Sequence, residues 1–336
     1  MPQPIRLAIN GFGRIGRLTL RALLNRPDSP IQVVAINDLG DMTKMPMLLK
    51  YDSVHGRGDF DVEVADGFMT VGGHRAKLLS ERDPAALPWA DMDIDLVLDC
   101  TGRFVDRAGA SQHLRAGAKK VLISAPGKDS DATIVFGVNN AALKSEHQIV
   151  SNASCTTNCL APMAKTLNDG LGIVAGSMTT VHAYTGDQSL VDGDHSDPRR
   201  ARAAALSMIP TSTGAAKAIG LVLPELAGKL DGTAVRVPTP NVSMVDLTFI
   251  AARDTTAEEV NALLSAAANG PLKGIMQAND LPLVSIDYCT DPHSCSISLD
   301  QTQVTGGNLV RVLGWYDNEW GFSNRMVDTA ALMFCV

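Results

Sequence analysis

The stretch NGFGRIGR, from Asn10 to Arg17, restricts what this chain can fold into more than any other segment. It follows a short apolar run, Ile5–Ile9, and opens a helical pattern over Ile15–Asn25. In Gly11-x-Gly13-x-x-Gly16, Gly11 permits a tight turn, Gly13 lets backbone approach a pyrophosphate, and Gly16 lets the helix pack closely on the strand. The helix N-terminus then offers N–H groups and a partial positive charge to phosphate. A second run, Gln32–Ile36, leads to Asp38. A carboxylate there can accept from both hydroxyls of an adenosine ribose and repels a 2′-phosphate. The segment therefore predicts a dinucleotide-binding fold that takes NAD rather than NADP.

The alternation continues. Asp95–Leu98, Lys120–Ile123 and Thr133–Phe136 read as strands, Arg107–Arg115 as a helix, and Asp59–Val64 with Met69–Val71 as an inserted hairpin around an ADG turn. Strand–helix–strand repetition predicts a doubly wound parallel sheet. After about Val150 the pattern changes to longer strands without a helix behind each: Ser177–Tyr184, Ala234–Val237, Val242–Ala251, Leu283–Asp287 and Leu309–Tyr316. Thr255–Asn269 reads as a helix, with Thr255 or Thr256 as cap and Glu258 and Glu259 near its positive end. Glu319–Phe334 is helical in pattern. With 336 residues the chain is long enough for two cores. The prediction is an α/β fold: a Rossmann-type dinucleotide domain over 1–150, to which a C-terminal helix near 319–336 returns, and an α+β catalytic domain over 151–318 with a mostly antiparallel sheet.

Composition excludes several classes. The net charge of −7 provides no basic field for nucleic acid or a membrane surface, so a phosphorylated ligand has to be held by local cations. Six cysteines, at 100, 155, 159, 289, 295 and 335, match neither a disulfide scaffold nor a zinc site. Reduced thiols are expected, and no metal. MPQPIRLAIN runs into the first strand without a leader pattern, and no apolar stretch approaches ~18 residues. A cytoplasmic protein is predicted.

The segment SNASCTTNCLAP, Ser151 to Pro162, carries the chemistry. Cys155 follows small polar residues and begins an apolar helical run. A thiol at a helix N-terminus has its thiolate favoured by the dipole and by nearby N–H donors. Cys159, one turn on, is expected to face the core as an inert thiol.

SNASCTTNCLAP, HAYTGDQ, STGAAKAIG, RVPTPNVS and WYDNEWGFSN, together with NGFGRIGR and the AIND around Asp38, resemble signature segments of the phosphorylating glyceraldehyde-3-phosphate dehydrogenase family. The resemblance runs from about Ile5 to about Thr329. It implies NAD-dependent oxidative phosphorylation of D-glyceraldehyde 3-phosphate to 1,3-bisphosphoglycerate. Cys155 would be the nucleophile, passing through a thiohemiacetal and a thioester, and His182 the base. Thr185 and Arg236 would hold the substrate phosphate. Ser154, Thr156, Thr213, Gly214 and Arg200 would form or border the site of the attacking inorganic phosphate. Hydroxyls, a free N–H and guanidinium forks suit tetrahedral oxyanions. DPRRARA offers Arg199, Arg200 and Arg202, and at least one of them should be a solvated or intersubunit cation. On the cofactor side the resemblance implicates the Arg14 and Ile15 backbone at the pyrophosphate, Arg82 and Ser124 beside the adenine and the nicotinamide ribose, and Asn318 on the carboxamide. It also implies a homotetramer, because the loop Val191–Arg199 needs a neighbour.

Asp192 is followed by Gly193 and Asp194 where many NAD-using members carry Leu-Pro. An added carboxylate beside a neighbouring subunit's adenosine ribose should disfavour NADP further. LPLVSIDY, DPHS and NEWGFSNRM also resemble the erythrose-4-phosphate dehydrogenases on the same scaffold, whereas HAYTGDQ and STGAAKAIG keep the phosphate residues of the glyceraldehyde enzymes. A binding protein that kept the fold and lost catalysis would be expected to lack the thiol, the histidine or the phosphate residues.

Overall fold

A computed structural model describes residues 3–335. Met1, Pro2 and Val336, which the predicted domain bounds include, lie outside the described residues. Two units emerge, Met1–Ala153 with Ser323–Val336, and Ser154–Phe322.

In the first unit β1 (Ile5–Asn10) pairs in parallel with β2 (Ile31–Asn37) from Ile5↔Ile31 to Asn10↔Asn37. Its other edge meets β8 (Leu96–Asp99), also parallel. These strands are buried along almost their whole length, as in a sheet covered on both faces. Beyond β8 follow β9 (Lys120–Ile123), β11 (Ile149–Ser151) and β10 (Ala132–Thr133), all parallel. On the far side of β2 come β7 (His74–Leu79), β6 (Phe68–Val71) and β5 (Val62–Ala65), the last two antiparallel. A short ribbon, β3 (Tyr51–Asp52) and β4 (Gly56–Arg57), follows α2 (Met45–Lys50). The helices α1 (Arg14–Leu24) and α3 (Arg107–Arg115) complete the doubly wound pattern. Trp89, Ile94 and Val97 centre one core cluster, and each such fully buried apolar side chain contributes about 1.5–3 kcal/mol.

The chain order reverses at β1, whose successors lie on opposite sides, so a crevice opens beyond the carboxyl ends of β1, β2 and β8. The final helix α7 (Trp320–Leu332) sends Ser323 onward into this unit. There Asp328 pairs with Arg26, Thr329 donates to Asn152, and the Met333 carbonyl accepts from Lys120.

The second unit is an eight-stranded mixed sheet, mostly antiparallel. Its order is β13 (Ile209–Ser212), β14 (Leu230–Val237), β12 (Ile173–Ala183), β15 (Ser243–Ala251), β19 (Leu309–Tyr316), β17 (Cys295–Ser298) and β16 (Met276–Asn279), with β18 (Gln303–Thr305) beside β19. Two pairings, β12 with β14 and β16 with β17, are parallel. The long helix α4 (Cys155–Leu171) packs on this sheet with Leu160, Met163 and Leu167 fully buried, and Gly172 ends it at a positive φ of 72°. Helices α5 (Ala215–Val222) and α6 (Ala257–Asn269) accompany it. Thr256 is the cap of α6, accepting from the Glu259 N–H.

Three sequence expectations need correction. Leu283–Asp287 is not a strand. Asp287 accepts from the Val284 N–H and the chain tightens into a 3-10 turn over Ser285–Tyr288, with Val284 and Ile286 exposed. The strand expected over Thr133–Phe136 stops at Thr133, because the Asn139 amide accepts from Val135 N–H and donates to the Thr133 carbonyl in place of a ladder. The supposed hairpin at 59–71 has a third strand, β7, and its first strand starts only at Val62. Among the described residues no helix is long and apolar enough to cross a membrane, and all six cysteines are free thiols.

Candidate active site

Small residues bring the chain to the thiol. After β11, Ala153 adopts a positive φ of 57°, a conformation costly for a residue with a Cβ. Ser154 is extended and caps α4, its Oγ accepting from the Thr157 N–H at 3.0 Å. Cys155 is the first helical residue, half-buried, with Sγ 3.5 Å from Nε2 of His182. The Cys159 thiol is fully buried and donates toward the Gly314 carbonyl.

His182 lies near the end of β12, in register with Arg236 on the parallel neighbour β14. Its Nδ1 is 2.6 Å from the Ala183 carbonyl, so Nδ1 carries the proton and Nε2 faces the thiol as an acceptor. Arg236 donates through Nη1 to the same carbonyl and to Thr185 Oγ1, both at 3.2 Å. Its Nε is buried without a hydrogen-bond partner among the described residues. Of the three arginines in DPRRARA, Arg200 turns inward: Nε donates to Thr211, Nη1 to Asp187 and Nη2 to the Ser212 carbonyl. Arg199 is exposed, and Arg202 pairs with Asp192 at the surface.

The hydroxyls expected around the thiol already have partners. Thr156 Oγ1 and Thr180 Oγ1 each lie 2.9 Å from the Tyr316 hydroxyl, which is fully desolvated beneath them. Ser154 Oγ lies 2.7 Å from Thr157 Oγ1, and Thr213 Oγ1 accepts from the Ala215 N–H. Gly214 opens α5 with no side-chain cap and open space where a Cβ would stand. Asn318 is buried, its Oδ1 accepting from Ser243 Oγ.

In the first unit, a cleft of about 510 Å³ lies beyond the strand ends, lined among others by Gly11, Gly13, Asp38, Arg82 and Thr101. Gly11 has φ +91°, and a Cβ on it would meet the Cys100–Thr101 backbone at 2.8 Å. Gly13 has open space around it, and a Cβ on Gly16 would run into the Gly11 carbonyl. α1 begins at Arg14 and Ile15 with no side chain capping it. Asp38 accepts from Phe12 N–H at 2.6 Å and Gly40 N–H at 2.7 Å, which fixes its carboxylate on the wall. Ser124 follows β9 and does not line this cleft; its N–H donates to the Asp99 carbonyl at 3.0 Å and its side chain bonds the Cys100 thiol.

Residues 5–107 match the family model described as the glyceraldehyde 3-phosphate dehydrogenase NAD binding domain, and residues 154–318 match its C-terminal domain. The chain is 59% identical over 329 residues to the glyceraldehyde-3-phosphate dehydrogenases of Xanthobacter flavus and Cereibacter sphaeroides, covering 98% of each chain in both comparisons. It is 56% identical over 329 residues to the chloroplastic glyceraldehyde-3-phosphate dehydrogenase A of Chlamydomonas reinhardtii, covering 97% of this chain and 88% of that one. The chain belongs to the glyceraldehyde-3-phosphate dehydrogenase family.

For this member of the glyceraldehyde-3-phosphate dehydrogenase family, burial sets the electrostatics. It pushes the Cys155 thiol up, while the Arg236 guanidinium, then the Thr156 hydroxyl and N–H, draw it back. Burial also lowers His182 to about 3, with the Arg236 charge adding to the effect. Sequence reasoning expected the helix terminus to favour a thiolate; burial works against that charge. Burial, and after it the Arg200 charge, lowers the Arg236 guanidinium. The motif reading missed Tyr316, Ser243, Asp187 and the Ala183 carbonyl. The tyrosine was visible in WYDNEW, but its partners come from two distant elements.

Proposed function

We propose that this chain oxidises D-glyceraldehyde 3-phosphate to 1,3-bisphosphoglycerate with NAD and inorganic phosphate. The observation that carries the reading is Cys155 Sγ facing the acceptor Nε2 of His182, with Arg236 and Thr185 linked beside them. Cys155 forms a bond to the aldehyde carbon while His182 Nε2 takes the thiol proton and returns it to the former carbonyl oxygen, which gives the neutral thiohemiacetal. Thiol and imidazole ionise together, and Arg236 steadies the sulfur anion. Arg236 and Thr185 hold the phosphate already on the substrate. His182 then removes the proton from the thiohemiacetal hydroxyl as the carbon loses its hydride, which leaves a thioester. Bound NAD supplies the hydride acceptor. Inorganic phosphate, held by Arg200, Thr213 and the Gly214 N–H with Ser154 and Thr156 at the border, adds to the thioester carbonyl. The carbon–sulfur bond breaks, the sulfur takes back the proton held on His182 Nε2, and the acyl phosphate departs.

The first unit fits NAD on its own geometry. Gly13 leaves room where a side chain would obstruct, and α1 presents the Arg14–Ile15 end to phosphate. Asp38 is braced to receive ribose hydroxyls, Arg82 would flank the adenine end, Ser124 would serve the nicotinamide ribose, and Asn318 would serve the carboxamide. The two units thus act as the NAD-binding and catalytic domains. We also read the protein as a cytoplasmic homotetramer. Leu190, Val191, Leu206 and Met208 stand 73–82% exposed along the segment that carries Arg200, a surface that a neighbouring subunit would cover.

The test is a rapid-mixing assay with glyceraldehyde 3-phosphate, NAD and phosphate, each omitted in turn. A burst of NADH without phosphate, followed by turnover once phosphate is added, is expected. Full turnover without phosphate would overturn the reading.

A further inference from the structure

The Ala183 peptide is held from both ends. Its carbonyl accepts from His182 Nδ1 and Arg236 Nη1, and its N–H donates to Ser243 Oγ at 3.0 Å. The β12–β15 ladder has by then ended, its last pair being Val181↔Met244, so a side chain takes over where backbone pairing stops. Ser243 is 1% exposed, and its hydroxyl also donates to Asn318 Oδ1 at 2.9 Å. A hydroxyl has one proton to give and lone pairs to accept with, so both bonds can be made at once. The donation turns Asn318 Oδ1 toward Ser243 and leaves Nδ2 on the opposite side of the amide.

We propose that Ser243 is a positioning residue: it fixes the Asn318 amide with Nδ2 presented to the cofactor's carboxamide oxygen, and it steadies the Ala183 peptide on which His182 and Arg236 are aligned. One hydroxyl then sets both the orientation of the nicotinamide holder and the aim of the base. This rests on the reading of Asn318 as the carboxamide ligand. Two buried acceptor–donor links with no water between them transmit orientation well, because breaking either leaves a buried group unsatisfied.

The test uses the full chain as Ser243→Ala, Ser243→Cys (which keeps the volume), Ser243→Thr (which keeps the hydroxyl), Asn318→Ala and the Ser243→Ala/Asn318→Ala pair. Three readouts are needed: NAD affinity by protein fluorescence, the pH profile of Cys155 alkylation by iodoacetamide without cofactor, and the melting temperature. Ser243→Ala and Ser243→Cys should each weaken NAD about tenfold, the scale of one buried hydrogen bond lost, and shift the alkylation profile. Ser243→Thr should stay within about threefold of the unmodified protein. The double variant should bind NAD no more weakly than Asn318→Ala alone. If Asn318→Ala weakens NAD while Ser243→Ala and Ser243→Cys do not, Ser243 does not orient it and the proposal falls. If Asn318→Ala itself leaves NAD affinity unchanged, the reading of Asn318 falls, and the proposal with it. A drop in melting temperature with affinity and alkylation profile unchanged would overturn the positioning role.

Discussion

The dinucleotide cleft of the first unit depends on the path of its backbone, with glycines where a Cβ would meet main chain and Asp38 braced by two neighbouring N–H groups. The thiol centre of the second unit is made from side chains: Cys155 on α4, His182 on β12, Arg236 on β14 and Tyr316 on β19, brought together by strand register. The first kind of site should be harmed by adding atoms and the second by removing them. A cleft shaped by backbone spreads its binding over several N–H groups and one carboxylate. A centre of buried side chains concentrates its function in single atoms, each with few substitutes.

Cys155→Ser should show this concentration most severely, lowering turnover by roughly four orders of magnitude or more, the scale of losing a nucleophile. Cys159→Ser, one turn along the same helix, should lower the melting temperature while turnover stays largely intact. Equal loss of turnover in the two variants would show that the thiol centre does not depend on one atom.

Arg236→Leu removes two functions at once. The Michaelis constant for glyceraldehyde 3-phosphate should rise about 30-fold or more, as when one partner of a buried charge-assisted contact is truncated. Unphosphorylated glyceraldehyde should suffer less, yet not be spared. The same guanidinium is the largest influence holding the Cys155 thiol down and also grips the Ala183 carbonyl. Steady-state kinetics on the aldehyde pair measure the difference; equal losses would reduce Arg236 to a support of the sheet.

The converse test adds one methyl group. Gly16→Ala places a Cβ against the Gly11 carbonyl and should cost about 1–3 kcal/mol of stability, together with NAD affinity. Thermal melting and NAD titration would show it. An unaffected Gly16→Ala protein would mean that the close helix–strand approach is not needed. Asp38→Ala should be milder for NAD, about 1–3 kcal/mol. It should also admit NADP, which competition between the two nucleotides detects.

The smallest effect concerns pH. His182 sits at about 3 in the folded chain against an ordinary 6.5. As pH falls below 6.5 the unfolded imidazole binds a proton that the folded one refuses until about 3, so stability drains away through that window and is full above it. Melting curves from pH 7 to 5 should fall more steeply for the unmodified protein than for His182→Gln. Parallel curves would show that the imidazole is not held neutral by burial.

The same division explains what could be read from the chain. Gly11, Gly13 and Gly16 were legible because a turn, a close approach and a helix start are local demands on neighbouring residues. Arg107–Arg115 and Leu309–Tyr316 were read to the residue, the first opened by Asp106 capping the helix and the second rich in β-branched and aromatic residues. Leu283–Asp287 misled because an apolar run can be stripped from a sheet by one carboxylate, here Asp287, that turns the backbone back on itself. His74–Leu79 escaped because Arg75 and Lys77 obscure a strand that pairs on both sides. DPRRARA could not reveal which arginine turns inward; Asp187, Thr211 and the Ser212 carbonyl decide it, and they lie 11 to 13 residues away. Ser243 closes the RVPTPNVS segment, yet nothing local reveals its two partners, which are 60 and 75 residues distant.

The bond from His182 Nδ1 to the Ala183 carbonyl has a consequence for the traffic of protons. A ring with one nitrogen committed to a main-chain oxygen conducts nothing through to the bulk. It is a cul-de-sac with a single mouth, at Nε2, opening on the sulfur. A proton collected there can depart only by the way it came, handed to whichever group of substrate or thiol next occupies that mouth. The imidazole is therefore a loan desk rather than a wire, and the proton borrowed when the carbon–sulfur bond forms is the one available when that bond is broken.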